Sequence, residues 1–178
     1  IGFGEVHEMT TGGRVLTVLI IIFGLGSAAT ILTQVAQLIL QGDISAVWRK
    51  RRMEKKIARM KDHVIICGFG RIGQAICQDL TDMGVQCVVV ERDNKRVESG
   101  RDLGAVTMEG NGTADQALLS AGVEQAAVLV AALSNDSDNL FVALAARDLN
   151  PSLTVIARGE DKSIETRMLR AGVDQVVY

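Results

Sequence analysis

Hydrophobic positions along the chain follow three successive patterns. From Val15 to Leu40 the sequence VLTVLIIIFGLGSAATILTQVAQLIL carries no formal charge. As a helix it would extend about 39 Å at about 1.5 Å per residue, enough to cross a hydrocarbon core of about 30 Å with some tilt. A polar, basic stretch follows to Asp62. From His63 short apolar runs alternate with amphipathic ones, the pattern of strands alternating with helices. Strands are predicted at His63–Cys67, Cys87–Glu91, Ala105–Met108, Ala127–Ala132, Leu153–Ala157 and Gln175–Tyr178. Helices are predicted from the glycine-rich turn after Cys67 to Met83, and over Asn94–Leu103, Asp115–Ala121, Asp138–Leu149 and Ser163–Ala171. The strands are nearly continuous Val, Ile and Ala, as in a parallel sheet buried on both faces. The expected fold is a membrane α-helix followed by an α/β Rossmann-type doubly wound parallel sheet. The expected divisions are 1–14, an outer segment; 15–41, the span; 42–62, a basic linker; and 63–178, the α/β lobe.

Charge orients the span. After Trp48 come Arg49, Lys50, Arg51, Arg52, Lys55, Lys56, Arg59 and Lys61, with Glu54 the lone acid among them; the other flank has Glu5, His7, Glu8 and Arg14. The excess of cations puts the C-terminal flank in the cytoplasm of a cell membrane. The run reads as a helical connector whose first turns meet acidic headgroups. A solvated linker is the plainer alternative. One aromatic and the adjoining span argue against nucleic acid. Thr30, Thr33, Gln34 and Gln37 place polar groups on the later half of the span, where a helix neighbour or a water-filled path would satisfy them. Gly24 and Gly26 are either a bending point or small residues that let helices pack; composition alone favours packing.

The whole chain, 178 residues with a net charge of −2, is long enough for one domain and a short second element. It does not open with Met and reads as an internal piece of a longer protein. Cys67, Cys77 and Cys87 lack zinc-ligand spacing and read as reduced, buried thiols.

Candidate chemistry lies at Gly68-Phe69-Gly70-Arg71-Ile72-Gly73. This GxGxxG follows a strand, opens a helix, and has Glu91 at the end of the next strand. Gly68 allows the tight turn, Gly70 lets the backbone approach a pyrophosphate, and Gly73 allows close helix–strand packing. Amides at the helix start, with Arg71, face the phosphates. Glu91 can accept both ribose hydroxyls and repels a 2′-phosphate, which favours NAD over NADP; adjacent Arg92 weakens that distinction. The alternative is a Rossmann lobe that kept its glycines and lost its ligand. No catalytic set is evident: His63 opens the first strand, and His7 lies across the span.

Ile1-Gly2-Phe3-Gly4-Glu5 resembles the back end of a potassium-channel selectivity filter. The span then resembles a pore-lining inner helix with Gly24 at the gating hinge. The stretch from His63 resembles the N-terminal lobe of an RCK (TrkA-N, KTN) domain. Gly110-Asn111-Gly112-Thr113 is similar to that family's Gly-Asp-Ala-Thr turn, and Leu169-Arg170-Ala171-Gly172-Val173-Asp174-Gln175-Val176 to its helix–strand unit after the fifth strand. The resemblance implies a prokaryotic channel, homotetrameric, with a cytosolic gating ring or an octameric ring of lobes. It implies potassium held by the carbonyls of the filter stretch from Ile1 to Gly4. It also implies a ligand cleft including Gly68, Gly70, Arg71, Gly73, Glu91, Arg92, Asn111, Gly112, Thr113 and Arg158, with Phe69 and Ile72 inside the fingerprint. Asn111 removes one acidic contact. Arg158 stands where calcium-gated members carry an acid, which disfavours calcium here and favours an anionic ligand; a calcium site elsewhere stays open.

The expected function is a ligand-gated potassium channel subunit, not an enzyme, whose lobe binds NAD(H), with ATP or ADP as alternatives. Two other readings are an RCK-regulated potassium transporter or antiporter and a membrane-tethered NAD-dependent oxidoreductase. A third keeps the channel and makes the lobe a scaffold. By resemblance the helices around Leu140-Phe141-Leu144 and Ile164-Met168-Leu169 pack against neighbouring lobes. Phe141 and Met168 are the expected contacts, and Leu144 is expected in the core.

Overall fold

A computed structural model describes the backbone of residues 10–40 and 43–178, and the side chains of 10–34 and of 48 onward. The filter-like stretch Ile1, Gly2, Phe3 and Gly4 lies outside the described residues, as does the side chain of Gln37. The chain divides into two compact units, Ile1–Trp48 and Arg49–Tyr178.

In the first unit α1 runs Thr11–Leu40. Thr11–Gln34 has a mean hydropathy of 2.5, and none of its most apolar stretch is buried within the chain. A helix apolar on every side needs an apolar medium outside the chain. Its threonines are satisfied locally: Thr30 Oγ1 donates to the Ser27 carbonyl at 2.8 Å and Thr33 Oγ1 to that of Ala29 at 2.8 Å. Those two hydroxyls therefore do not need the neighbour or water path expected of them. The helix continues unbroken through Gly24, where an added Cβ would meet nothing within 4 Å.

α2, Asp43–Ile57, leads into the second unit. The linker there is more than a solvated connector, because Ile57 and Met60 are buried in the core of the lobe and Met53 packs against it. The remaining elements are β1 His63–Cys67, α3 Arg71–Asp82, β2 Cys87–Glu91, α4 Asn94–Asp102, β3 Val106–Glu109, α5 Asp115–Ser120, β4 Ala126–Ala131, α6 Asp136–Leu149, β5 Thr154–Arg158, α7 Glu165–Arg170 and β6 Gln175–Val177. All strands pair in parallel in the order β3-β2-β1-β4-β5-β6. The chain therefore reverses its direction of growth between β1 and β4, as in a doubly wound sheet.

Alternation along β1 separates two cores. Ile65 and Cys67 join Leu129, Val155, Leu118, Val142, Ala146 and Met168 on one face. Val64 and Ile66 join Phe69, Cys77 and Val89 on the other, with Ile76 and Leu80 of α3 packed against them. Asp174 ties β5 to the turn before β6: its carboxylate accepts Val155 N–H at 2.7 Å and Arg147 Nη2 at 2.7 Å. The Val155 amide foremost, and Arg147 with it, hold this carboxyl below the usual carboxylate range.

Side-chain caps move two helix starts from the positions that hydrophobic periodicity predicts. Asn135 accepts from Asp138 N–H, so α6 begins at Asp136 instead of Asp138. Asp161 accepts from Ser163 N–H and sets a 3₁₀ turn at Lys162–Ile164, so α7 starts at Glu165. Two expectations are corrected, Met168 at the surface and Leu144 in the core, while Phe141 is exposed as expected. Met168 is fully buried in the core and cannot be an outward contact. Leu144 is 45% exposed and Phe141 61% exposed. The reason is visible on α6, where Asn139, Val142, Ala143 and Ala146 take the inner face and leave Phe141 and Leu144 on the opposite side.

Candidate functional site

β1 and β4 stay paired to their carboxyl ends, where Cys67 faces Ala131, and the chain leaves them to opposite faces of the sheet as α3 and α6; a cleft of about 1130 Å³ opens at this switch point. Every parallel strand from β1 to β5 contributes to its walls. Gly68 and Gly70 come from the β1–α3 turn and Arg71 and Ile72 open α3; Glu91 ends β2 and Arg92 follows it; Gly110, Asn111 and Gly112 follow β3; Ala132, Leu133 and Ser134 follow β4; Arg158 ends β5.

The turn after β1 is forced by contact. Gly68 sits at φ +101°, and a Cβ there would lie 2.8 Å from the Ala132 carbonyl oxygen. A Cβ on Gly73 would lie 2.1 Å from the Gly68 carbonyl oxygen, so only glycine lets α3 come this close to the end of β1. Gly70 differs. Its backbone, at φ −77° and ψ −167°, suits any L residue, and a Cβ there would meet nothing within 4 Å. Packing within the chain does not require glycine at this wall of the cleft. Gly70 is also the N-cap of α3 and supplies no side-chain cap, whereas Asp93 and Asn135 cap α4 and α6. The first-turn amides of α3 therefore lack a side-chain acceptor, as at anion-binding helix starts.

Glu91 is nearly buried and already engaged. Oε2 accepts Phe69 N–H at 2.6 Å, and Oε1 accepts Arg92 N–H at 2.7 Å and Asp93 N–H at 2.9 Å. The carboxylate thus fixes the glycine turn, and of its about four acceptor sites one, on Oε2, remains for a hydroxyl donor. Arg92 Nη2 donates to Asn111 Oδ1 at 2.7 Å, and the same oxygen accepts the N–H and hydroxyl of Thr113. Arg158 Nη1 donates to the carbonyls of Leu133 and Ser134, and its Nη2 lies 3.6 Å from Glu160. Arg71 has no ion-pair or hydrogen-bond partner among the described residues.

Arg71, Arg92, Arg96 and Arg158 face Asp79, Glu91, Asp93 and Asp138 around the cleft. Formal charge is balanced. Glu91 and Asp93, however, spend their oxygens on backbone amides, and Asp138 accepts from Asn135 Nδ2. The donors left for a ligand are guanidinium groups and helix amides, which suit phosphate. Cys67 lies under the cleft against Gly112, and burial pushes its thiol up to about 12, far from a reactive thiolate. His63 is buried at the opposite end of β1, with Nε2 2.9 Å from the Ala121 carbonyl oxygen. Among the described residues no three His, Cys, Asp or Glu side chains are grouped to hold a metal ion.

Nine of the twelve expected binding residues meet at the cleft: Gly68, Gly70, Arg71, Ile72, Glu91, Arg92, Asn111, Gly112 and Arg158. Phe69, Gly73 and Thr113 do not line it. Phe69 places its buried ring in the core and gives Glu91 an amide, Gly73 packs on Gly68, and Thr113 braces Asn111. Sequence reasoning missed Arg96, whose Nη1 is 3.9 Å from Glu91 Oε2. Its place in the first turn of an Asp-capped helix after β2 was the available signal. It also missed buried Asn139, which bonds both Leu133 N–H and carbonyl and the Arg158 carbonyl, and so sets the β4 wall of the cleft.

Two family models match the chain: the TrkA-N domain over residues 64–178 and the ion channel family over residues 1–41. Potassium channel protein 1 of Methanocaldococcus jannaschii is 29% identical over 99% of this chain and 54% of that protein. The chain thus spans about half the length of that relative. The solved GsuK channel bound to NAD shares the fold, with a TM-score of 0.62 at 22% identity over 99% of this chain and 32% of that one. The Kef CTD of Shewanella denitrificans in AMP-bound form aligns at 25% identity over 65% of this chain and 69% of that one, with a TM-score of 0.58. The apolar helix lies within the stretch that matches the ion channel family, the six-stranded lobe follows it in the chain, and the chain belongs to the TrkA-N domain family, as a membrane protein.

Proposed function

We propose that the chain is the inner-helix and sensor portion of a ligand-gated potassium channel subunit, whose cytoplasmic lobe binds NAD(H) or another adenine nucleotide to control the pore. The observation that carries this reading is Gly70. It is a glycine that packing among the described residues does not require, at a helix start without a side-chain cap, beside an arginine with no partner among the described residues, in a switch-point cleft. Phosphate at that position explains all three features. AMP in the Kef CTD and NAD in the GsuK channel support the ligand class. The basic flank after Trp48 supports a cytoplasmic lobe. The proposed role is binding without turnover. Ile1, Gly2, Phe3 and Gly4 are proposed to contribute filter carbonyls to the potassium path.

Gly70→Ala separates binding from folding. It should leave the thermal midpoint unchanged and weaken NAD and ADP binding about tenfold, as Arg71→Ala should by about tenfold or more through loss of a charge-assisted phosphate contact. Calorimetry on the purified chain decides; full affinity in both variants removes the phosphate from this position.

Assembly is proposed through the outward face of α6. Phe141 and Leu144 there, and Leu169 on α7, are exposed apolar side chains on the lobe. Phe141→Asp should keep the lobe folded and lower the assembled mass in light scattering. An unchanged mass rules this face out.

Gly24 is proposed as the hinge of the inner helix. An added methyl finds open space within the chain, so Gly24→Ala acts on helix stiffness, by about 1 kcal/mol per subunit. Single-channel recording should show altered open probability at normal conductance. Unaltered opening at every nucleotide concentration would eliminate the hinge.

A further inference from the structure

Two faces of α2 differ in chemistry. Met53 and Ile57, and Met60 just beyond the helix, pack into the lobe. Ile57 Cγ2 would lie 3.2 Å from a Cβ on Gly122, the turn that leads into β4, so this end of the helix is seated on the amino-terminal edge of the sheet. At about 100° per residue, Arg51, Arg52 and Lys55 fall on the side opposite Met53 and Ile57. All three are exposed. None of them has an ion-pair partner among the described residues, and Glu54 is the single acid between Arg49 and Lys61. A triplet of cations on one helix face, left unneutralised by the lobe that holds the helix, calls for an anionic surface.

Connectivity says which surface. Residues 41–50 alone separate the end of α1 at Leu40 from Arg51. The eight of them that lie in α2 rise about 12 Å and the other two reach at most about 7 Å more, so the triplet cannot leave the neighbourhood of whatever membrane α1 enters. Phospholipid phosphates are the anions fixed there, and guanidinium pairs with phosphate through two parallel hydrogen bonds. We infer that the Arg51–Arg52–Lys55 face of α2 docks on anionic phospholipid headgroups of the bilayer. The opposite face is seated in the lobe, so headgroup binding restrains the lobe itself and not just a tether. The inference rests on α1 being a membrane span.

Trp48, the single tryptophan of the chain, is exposed one turn ahead of Arg52 and reports on the local lipid. The full chain is reconstituted in phosphatidylcholine bilayers carrying an equal mole fraction of brominated phosphatidylcholine or of brominated phosphatidylglycerol. Quenching by the anionic lipid should exceed that by the zwitterionic one by about twofold or more. The ratio should fall toward one in R51Q/R52Q/K55Q at unchanged far-UV circular dichroism, and in the native chain at about 1 M salt, where the Debye length is about 3 Å. Equal quenching by the two lipids overturns the inference and leaves the span intact. Quenching by neither overturns both. An anionic preference that survives the triple substitution and the salt also overturns it. If the variant does not reconstitute, the salt titration of the native chain decides alone.

Discussion

The close approach of Gly73 to the Gly68 carbonyl fixes much of the lobe's functional edge. With a Cβ at 2.1 Å the two could not coexist, so α3 would have to lift off the end of β1. Several features follow from that one contact. The start of α3 sits beside the strand end with its first-turn amides lacking a side-chain cap. Phe69 is drawn under the turn, where its ring fills the core shared with α3 and its amide reaches Glu91. Glu91 in turn gathers the amides of Arg92 and Asp93, and Asp93 caps α4. The β1–α3 and β2–α4 loops are thus held by one carboxylate and one glycine pair. A preorganised turn of this kind spends no binding energy on ordering itself when a ligand arrives.

Much of this was legible in the sequence, because each signal was local. Strand positions follow from runs such as Val88-Val89-Val90, and the glycine turn from its spacing after Cys67. Five of the nine cleft-lining positions, Gly68, Gly70, Arg71, Ile72 and Glu91, came from a motif whose physical reasons are one-dimensional: a turn, a close approach, an acid at the next strand end; Arg92, Asn111, Gly112 and Arg158 came from the family resemblance. What escaped depends on three-dimensional neighbours. Met168 looks like any apolar residue on an amphipathic segment, but α7 is a single short helix whose one inward position fills the core beneath β5. Leu144 lost its expected core place to the small residues Ala143 and Ala146. Arg96 reaches the cleft, and buried Asn139 braces its β4 wall, only because parallel pairing puts β2 and β4 on either side of β1. Ile57 and Met60 could not be told from a solvated linker without the sheet edge they cover.

The connector joins the two halves of the account. A lobe whose core includes Ile57 and Met60 transmits a change of position to α2 without slack at that end. For a nucleotide to alter the pore it must bind two arrangements of the lobes with different affinity; the free energy available for gating is that difference and no more. Arg158 and Asn139 connect the cleft wall to the ends of β4 and β5, so a ligand that recruits Arg158 would act on the same elements that carry the α6 surface. If the α6 face is the assembly surface, as proposed, the exposed Phe141 and Leu144 would give that difference a place to be expressed between subunits.

The central claim is that a nucleotide in this cleft governs potassium movement, and flux measures it directly. The complete subunit, reconstituted in liposomes, is loaded with a thallium-sensitive dye and mixed with thallium in a stopped-flow instrument, with and without NAD or ADP. The account predicts a nucleotide-dependent change in flux rate that Gly70→Ala shifts to about tenfold higher concentration without changing the rate at saturation. A flux insensitive to both nucleotides, or a nucleotide response identical in the Gly70→Ala protein, would contradict it.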